Sequence, residues 1–187
     1  MKRSKGIAAG LVAMSALLAG CGVQAAQASQ YIHVQPGTDV VALKVLAGYS
    51  NALNMPLIDG VQADGHLTIS VPKGSVVRMT VINKGPFPEA YGIYNASWQL
   101  AFPHAGNPYY ANLGAQLNPV DGLLYGQSKT YTFTASHVGT FTLADLTMNA
   151  GVNSEAAYSP GESAPVSNLW ATFRVIPSGA PSLTTTE

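Results

Sequence analysis

Along the last third of the chain, apolar and polar residues alternate one for one. Thr130, Thr132 and Thr134 interleave with Tyr131, Phe133 and Ala135, the period of two that marks a strand with one buried face. His137-Val138-Gly139 reads as a turn, after which Phe141 and Leu143 resume an apolar face. A third run, from Leu169 through Trp170 and Phe173 to Val175, follows a long loop. Upstream, residues 40–47 (VVALKVLA) suit a buried strand, and His66 to Val71 alternate cleanly. Pro72-Lys73-Gly74 predicts a turn into a strand over residues 75–83, with Val77, Met79 and Val81 on one face and Val76, Arg78, Thr80 and Ile82 on the other. Two strands joined by so short a turn predict a hairpin. Residues 48–64 read as irregular, and residues 91–126 as a long insert rich in Asn, Pro, Gly and aromatics. No 3.6-residue apolar period is sustained past the N-terminal segment, and nothing repeats. Short strands at turn-marked intervals predict an all-β sandwich.

The N-terminus belongs to targeting rather than to the fold. Lys2, Arg3 and Lys5 precede a short apolar stretch over residues 7–18, the layout of an export signal. Leu18-Ala19-Gly20-Cys21 resembles a bacterial lipobox, which makes Cys21 the lipidated first residue of the mature protein. The other reading is an ordinary signal cut after Ala26-Gln27-Ala28, with Cys21 lost. Either way the expected location is the periplasm or the outer face of a membrane, anchored there if Cys21 carries lipid.

Cys21 is the single cysteine, so the folded part has no disulfide, thiolate ligand or catalytic thiol. Three of the nine basic residues lie in the leader, leaving six against nine acidic ones. Charged residues make up 10% of the chain, against roughly 25% in ordinary proteins. With few carboxylates, acid changes the net charge little, which suits an acid-adapted surface as well as a neutral extracellular one. Neither offers a basic patch of the kind nucleic acid requires. No nucleophile motif or phosphate loop is present, and Ser136 and His137 point to opposite faces of a strand, so no enzyme activity is expected.

Two stretches carry a family resemblance. The strand–turn–strand over residues 128–145, its loop and the closing NLWATFRV strand resemble the C-terminal part of a cupredoxin. NMPLIDGVQADGHLTISVPKGSVVRMTVINKG (residues 54–85) is similar to the sulfocyanin run in which a strand, a Pro-x-Gly turn and a strand ending in Asn lead to the loop of the first copper ligand. The resemblance implies a cupredoxin-like Greek-key β-sandwich or barrel over residues 38–177. A signal peptide (residues 1–20), a flexible tether (21–37) and a disordered tail (178–187) complete the expected organisation.

A type 1 copper centre takes two imidazoles, one thiolate and a weak axial ligand. The resemblance puts Asp145 (or Ala144) at the Cys position, Glu89 at the first His and Leu169 at the axial Met, with no His in residues 146–168. It therefore implies a copper site that has been lost, and no cofactor. The residual metal candidates are Glu89, His104, Asp145 and Met148, of which the His and the two carboxylates would suit a harder divalent ion or a weak copper(II) site. His66 and His137 read as surface residues, and His33 is assigned no role.

By elimination, the expected role is a binding or assembly module in the cell envelope, where the resemblance implies a respiratory partner. The expected contact surfaces are Pro86, Phe87, Pro88, Glu89 and Tyr91 on one loop and Tyr158 on the other. The aromatics Tyr91, Tyr94, Trp98, Phe102, Tyr109 and Tyr110 fit either a docking patch or the cover of a sheet end, the latter being preferred. Two alternatives stay open: an electron-transfer protein with a non-standard copper site, and copper storage through Met55, Met79 and Met148, which are isolated from one another.

Overall fold

A computed structural model describes residues 30–50, 55–59, 61–62, 65–86, 89–108, 122–145 and 170–185. They contain eleven strands: β1 (Ile32–Val34), β2 (Val40–Ser50), β3 (Met55–Ile58), β4 (Val61–Gln62), β5 (Leu67–Pro72), β6 (Val76–Asn83), β7 (Tyr91–Tyr94), β8 (Ser128–Thr134), β9 (Gly139–Asp145), β10 (Trp170–Ile176) and β11 (Ser182–Thr185). The first sheet runs β4-β3-β2-β6-β8, with β1 also paired to β2, and the second runs β11-β5-β10-β9-β7. The fold is an all-β two-sheet sandwich, the architecture that the cupredoxin resemblance implies.

The period-two pattern does the work that the sequence assigns to it. Val41, Leu43, Val45 and Ala47 of β2, Val77, Met79 and Val81 of β6, and Tyr131 and Phe133 of β8 turn inward from the first sheet. Leu67, Ile69 and Val71 of β5, Leu143 of β9, and Ala171, Phe173 and Val175 of β10 meet them from the second. Phe102 sits at the middle of one end, stacked at 5.5 Å on Phe133 and edge-on at 5.0 Å to Phe141. Each fully buried side chain of this size contributes about 1.5–3 kcal/mol of apolar transfer.

Both expected turn-linked pairs are strand crossings instead. β5 lies in the second sheet and β6 in the first, each paired in parallel with a different strand: β6 with β2 and β5 with β10. The 72–75 turn bonds outward to both sheets, Lys73 N–H to the Ile176 carbonyl (2.8 Å) and Gly74 N–H to the Ala135 carbonyl (2.8 Å). Likewise β8 pairs with β6 and β9 with β10, in different sheets. Alternation fixes which face a strand buries, and two strands facing one core from opposite sides satisfy it as well as a hairpin does.

Strands also occupy segments read as irregular. β1 falls inside the expected tether, paired to β2 from Ile32↔Leu43 to Val34↔Val41. β3 and β4 occupy part of residues 48–64. The expected disordered tail supplies β11, which pairs antiparallel with β5 (Leu183↔Ile69) and rests Leu183 against the core. Its β-branched threonines suit an exposed edge strand.

Between β1 and β3 the edge of β2 would lose its partner at Leu46. Asp59 fills the gap: its N–H donates to the Leu46 carbonyl and its Oδ1 accepts from the Leu46 N–H, both at 2.7 Å.

Candidate functional site: a buried carboxyl pair at one end of the sandwich

The inner face of β9 reads Phe141, Leu143, Asp145, so period two carries a carboxyl group to the end of an apolar row. Asn83 ends the inner row of β6 in the same way, after Val77, Met79 and Val81. Both polar ends lie at one end of the sandwich, and both are tied down. Asp145 Oδ1 accepts the Ala90 N–H at 2.7 Å. Asn83 donates from Nδ2 to the Leu123 carbonyl (2.6 Å) and accepts the Gly85 N–H at Oδ1 (2.7 Å). Leu123 in turn exchanges two backbone hydrogen bonds with Glu89 (3.0 and 2.7 Å).

Tyr91 is the cross-strand partner of Asp145, and Glu89 stands two residues before it. Paired residues share a face, as do residues two apart on an extended strand, so Glu89, Tyr91 and Asp145 all point into the sandwich. All three are fully buried. Among the described residues neither oxygen of Glu89 has a hydrogen-bond donor, and the Tyr91 hydroxyl has no partner.

An ionised Glu89 there would be a charge without water beside a second carboxylate. Burial first, then the charge of Asp145, then the hydrogen bond that a protonated Glu89 can give to Asp145, push its pKa up to about 10. Burial and the neighbouring carboxylate both favour the protonated form of Glu89. Burial also raises the Tyr91 phenol well above its ordinary value, with Glu89, Asp145 and Asp59 adding to the effect.

Asn107 closes the side of this end. Its Oδ1 accepts from the Tyr131 hydroxyl (3.1 Å) and Lys129 Nζ (3.3 Å), and its carbonyl accepts from the Tyr94 hydroxyl (2.7 Å). The segment leading to it crosses β7 so closely that a Cβ on Gly106 would lie 2.1 Å from Gly92 Cα.

The remaining site candidates separate. His104 is exposed at the tip of a turn with a φ of 67°, held outward because Phe102 and Ala105 on either side are buried. It does not join the carboxyl pair: among the described residues no three His, Cys, Asp or Glu side chains come together as a metal group. Met148, Leu169, Phe87, Pro88 and Tyr158 lie outside the described residues, as does Cys21. Of the expected contact surface, Pro86 is exposed, but Glu89 and Tyr91 are corrected to interior residues, because period two turns both toward the core. The aromatics Tyr91, Tyr94, Trp98 and Phe102 are buried, and Tyr109 and Tyr110 lie outside the described residues.

Sequence reasoning passed over Asn83 as a site residue, and also Asn107, Leu124 and Tyr125. A signal existed for Asn83, which is in phase with three inward apolar residues. The other three lie in a segment with no readable period.

The donor set does not fit type 1 copper. It offers two hard carboxyl groups and a phenol, with neither a thiolate nor an imidazole among them.

No protein-family model and no curated protein matches the chain. Among solved structures it is similar to a multicopper oxidase (17% identity, TM-score 0.45, 77% of this chain and 45% of that one). It is similar to the blue copper oxidase from Nitrosomonas europaea (15%, TM-score 0.45, 72% and 38%). It is also similar to rusticyanin from Thiobacillus ferrooxidans (16%, TM-score 0.42, 83% and 93%). The chain thus spans less than half the length of these two oxidases and nearly all of rusticyanin.

Proposed function

We propose that this chain is an exported, lipid-anchored cupredoxin-like module that holds no type 1 copper and acts by binding a protein of the cell envelope rather than by catalysis. The observation that carries the reading is the chemistry of the buried end. Two buried carboxyl groups, Glu89 and Asp145, occupy the positions at which the resemblance calls for an imidazole and a thiolate. The only cysteine is Cys21, in the leader region, and carboxylate oxygen does not reproduce the soft donor of a blue-copper centre.

Above the pair, the 122–127 turn offers a surface. Leu124 and Tyr125 are 56% and 72% exposed, and Asn83 fixes their turn through the Leu123 carbonyl and the Gly126 N–H. Large exposed side chains on a pinned turn suit a contact with another protein. They take the place of Glu89 and Tyr91 in the partner surface.

Two measurements test the reading. Full-length protein loaded with copper(II) in mildly acidic buffer is expected to show no stoichiometric copper and no intense visible band; a blue band would overturn the copper-free part. A photo-crosslinker at position 125, in cells, is expected to trap an envelope protein that the same group at position 138, at the opposite end of β9, does not. Equal trapping at both positions would overturn the partner surface.

A further inference from the structure

A groove of about 310 Å3 lies on the outer face of the first sheet, away from the carboxyl pair, between β1, β2 and β6. The strand register builds it. His33 is opposite Ala42, and Ala42 is opposite Arg78, so a methyl group forms the floor between an imidazole and a guanidinium. Lys44, two residues on and roughly 7 Å along the same face, is opposite Thr80. The Lys44 N–H bonds to the Tyr31 carbonyl at 2.7 Å, which holds Tyr31 at the groove wall.

Three facts make this more than a solvated sheet face. His33, Lys44 and Arg78 are exposed, and neither the Arg78 guanidinium nor the Lys44 ammonium makes a hydrogen bond or ion pair among the described residues. Among the described residues no carboxylate lines the groove. Outside the leader the chain has only six Lys and Arg, and two of them meet here beside a His.

The acid electrostatically linked to this wall is Asp59, which acts on Lys44 and Tyr31 from a buried position under the β2 edge. Burial holds it up to about 7, so the negative charge that it sets against Lys44 is only partial around neutral pH.

We propose that this groove binds a phosphate-class oxyanion, carried by a small solute or by a lipid headgroup. A guanidinium gives such an anion two parallel N–H donors, and an ammonium adds a point charge on the far side. The site is independent of the copper question, since it shares no residue with the carboxyl pair.

The test is calorimetric titration of full-length protein in non-ionic detergent at fixed ionic strength, first with inorganic phosphate and then with phosphatidylglycerol in the micelles. Saturable binding is expected in at least one arm, weakened roughly tenfold or more by Arg78→Gln or Lys44→Gln. Arg78→Lys should retain part of it, and Lys84→Gln, on the exposed turn beyond β6, should change nothing. Binding to phosphate assigns a solute, and binding to phosphatidylglycerol alone assigns a headgroup. No binding in either arm overturns the proposal, as does equal weakening by Lys84→Gln, which would mean diffuse charge attraction. Both exposed substitutions should leave the melting temperature in place.

Discussion

Tyr91 lies directly across the β7–β9 ladder from Asp145, so a phenol and a carboxyl leave the sheet side by side and enter the same dry interior. With Glu89 two residues before Tyr91, the end of the sandwich holds three acidic groups. Among the described residues neither oxygen of Glu89 accepts a hydrogen bond, and the Tyr91 hydroxyl has no partner. A proton is what makes this arrangement tolerable, and several consequences can be measured.

Stability should fall as pH rises. Asp59 is raised from 3.8 to about 7 and Glu89 from 4.5 to about 10. The folded state therefore binds more protons than the unfolded state between each pair of values. For each group the stabilisation is complete below the unfolded value and is lost as pH rises through the folded one. One such proton gives a slope of about 1.4 kcal/mol per pH unit. The slope should be steeper between about pH 4.5 and 7, where both groups act, than above it, where Glu89 acts alone. Urea unfolding across this range checks it; an optimum at alkaline pH would contradict it.

Glu89→Gln should flatten that profile. The amide has nearly the same shape, can donate to Asp145 and never ionises. The variant is expected to match the native chain in acid and to exceed it in melting temperature above neutrality, by a margin that widens with pH. A destabilised variant at alkaline pH would mean that Glu89 is needed as a carboxylate.

Asp59 is predicted to act as a ladder residue. Asp59→Asn keeps the oxygen that accepts the Leu46 N–H and tolerates the φ of 55°, so little stability should be lost. Asp59→Ala leaves that N–H without its partner and should cost about 1–3 kcal/mol in mildly acidic buffer. Equal effects of the two substitutions in urea unfolding would refute the role.

Gly106→Ala tests the close crossing over β7. Its Cβ would meet Gly92 Cα at 2.1 Å and the Tyr91 carbonyl at 2.6 Å, both backbone atoms that cannot rotate away. A loss of about 3 kcal/mol or more is expected. Gly126→Ala, at φ +79° with nothing within 4 Å, should carry only the left-handed strain, about 1–2 kcal/mol.

The inner face of the sandwich was legible from alternation alone: Val77, Met79, Val81, Tyr131 and Phe133 are buried as their spacing predicts. Pairing was not. A strand on either side of the core shows the same alternation, so β5–β6 read as a hairpin and β8–β9 as a turn-linked pair, although each pair is split between sheets. β7 was hidden for a different reason. Tyr91-Gly92-Ile93-Tyr94 is buried on both faces, the outer one under Trp98 and Leu100, and a strand covered on both sides has no period to detect. The pairing of Glu89 with Asp145 followed from the family resemblance, whereas their burial follows from phase. Asp145 continues the row of Phe141 and Leu143, and Glu89 the row of Tyr91.

The central claim is that Glu89 keeps its proton inside the sandwich, and infrared spectroscopy of the carboxyl stretch tests it most directly. Between about pH 7, where Asp59 ionises, and about pH 10, a protonated buried carboxyl should remain visible and should vanish in Glu89→Gln. A native spectrum with no protonated carboxyl in that window, or one unchanged by the substitution, would contradict the account.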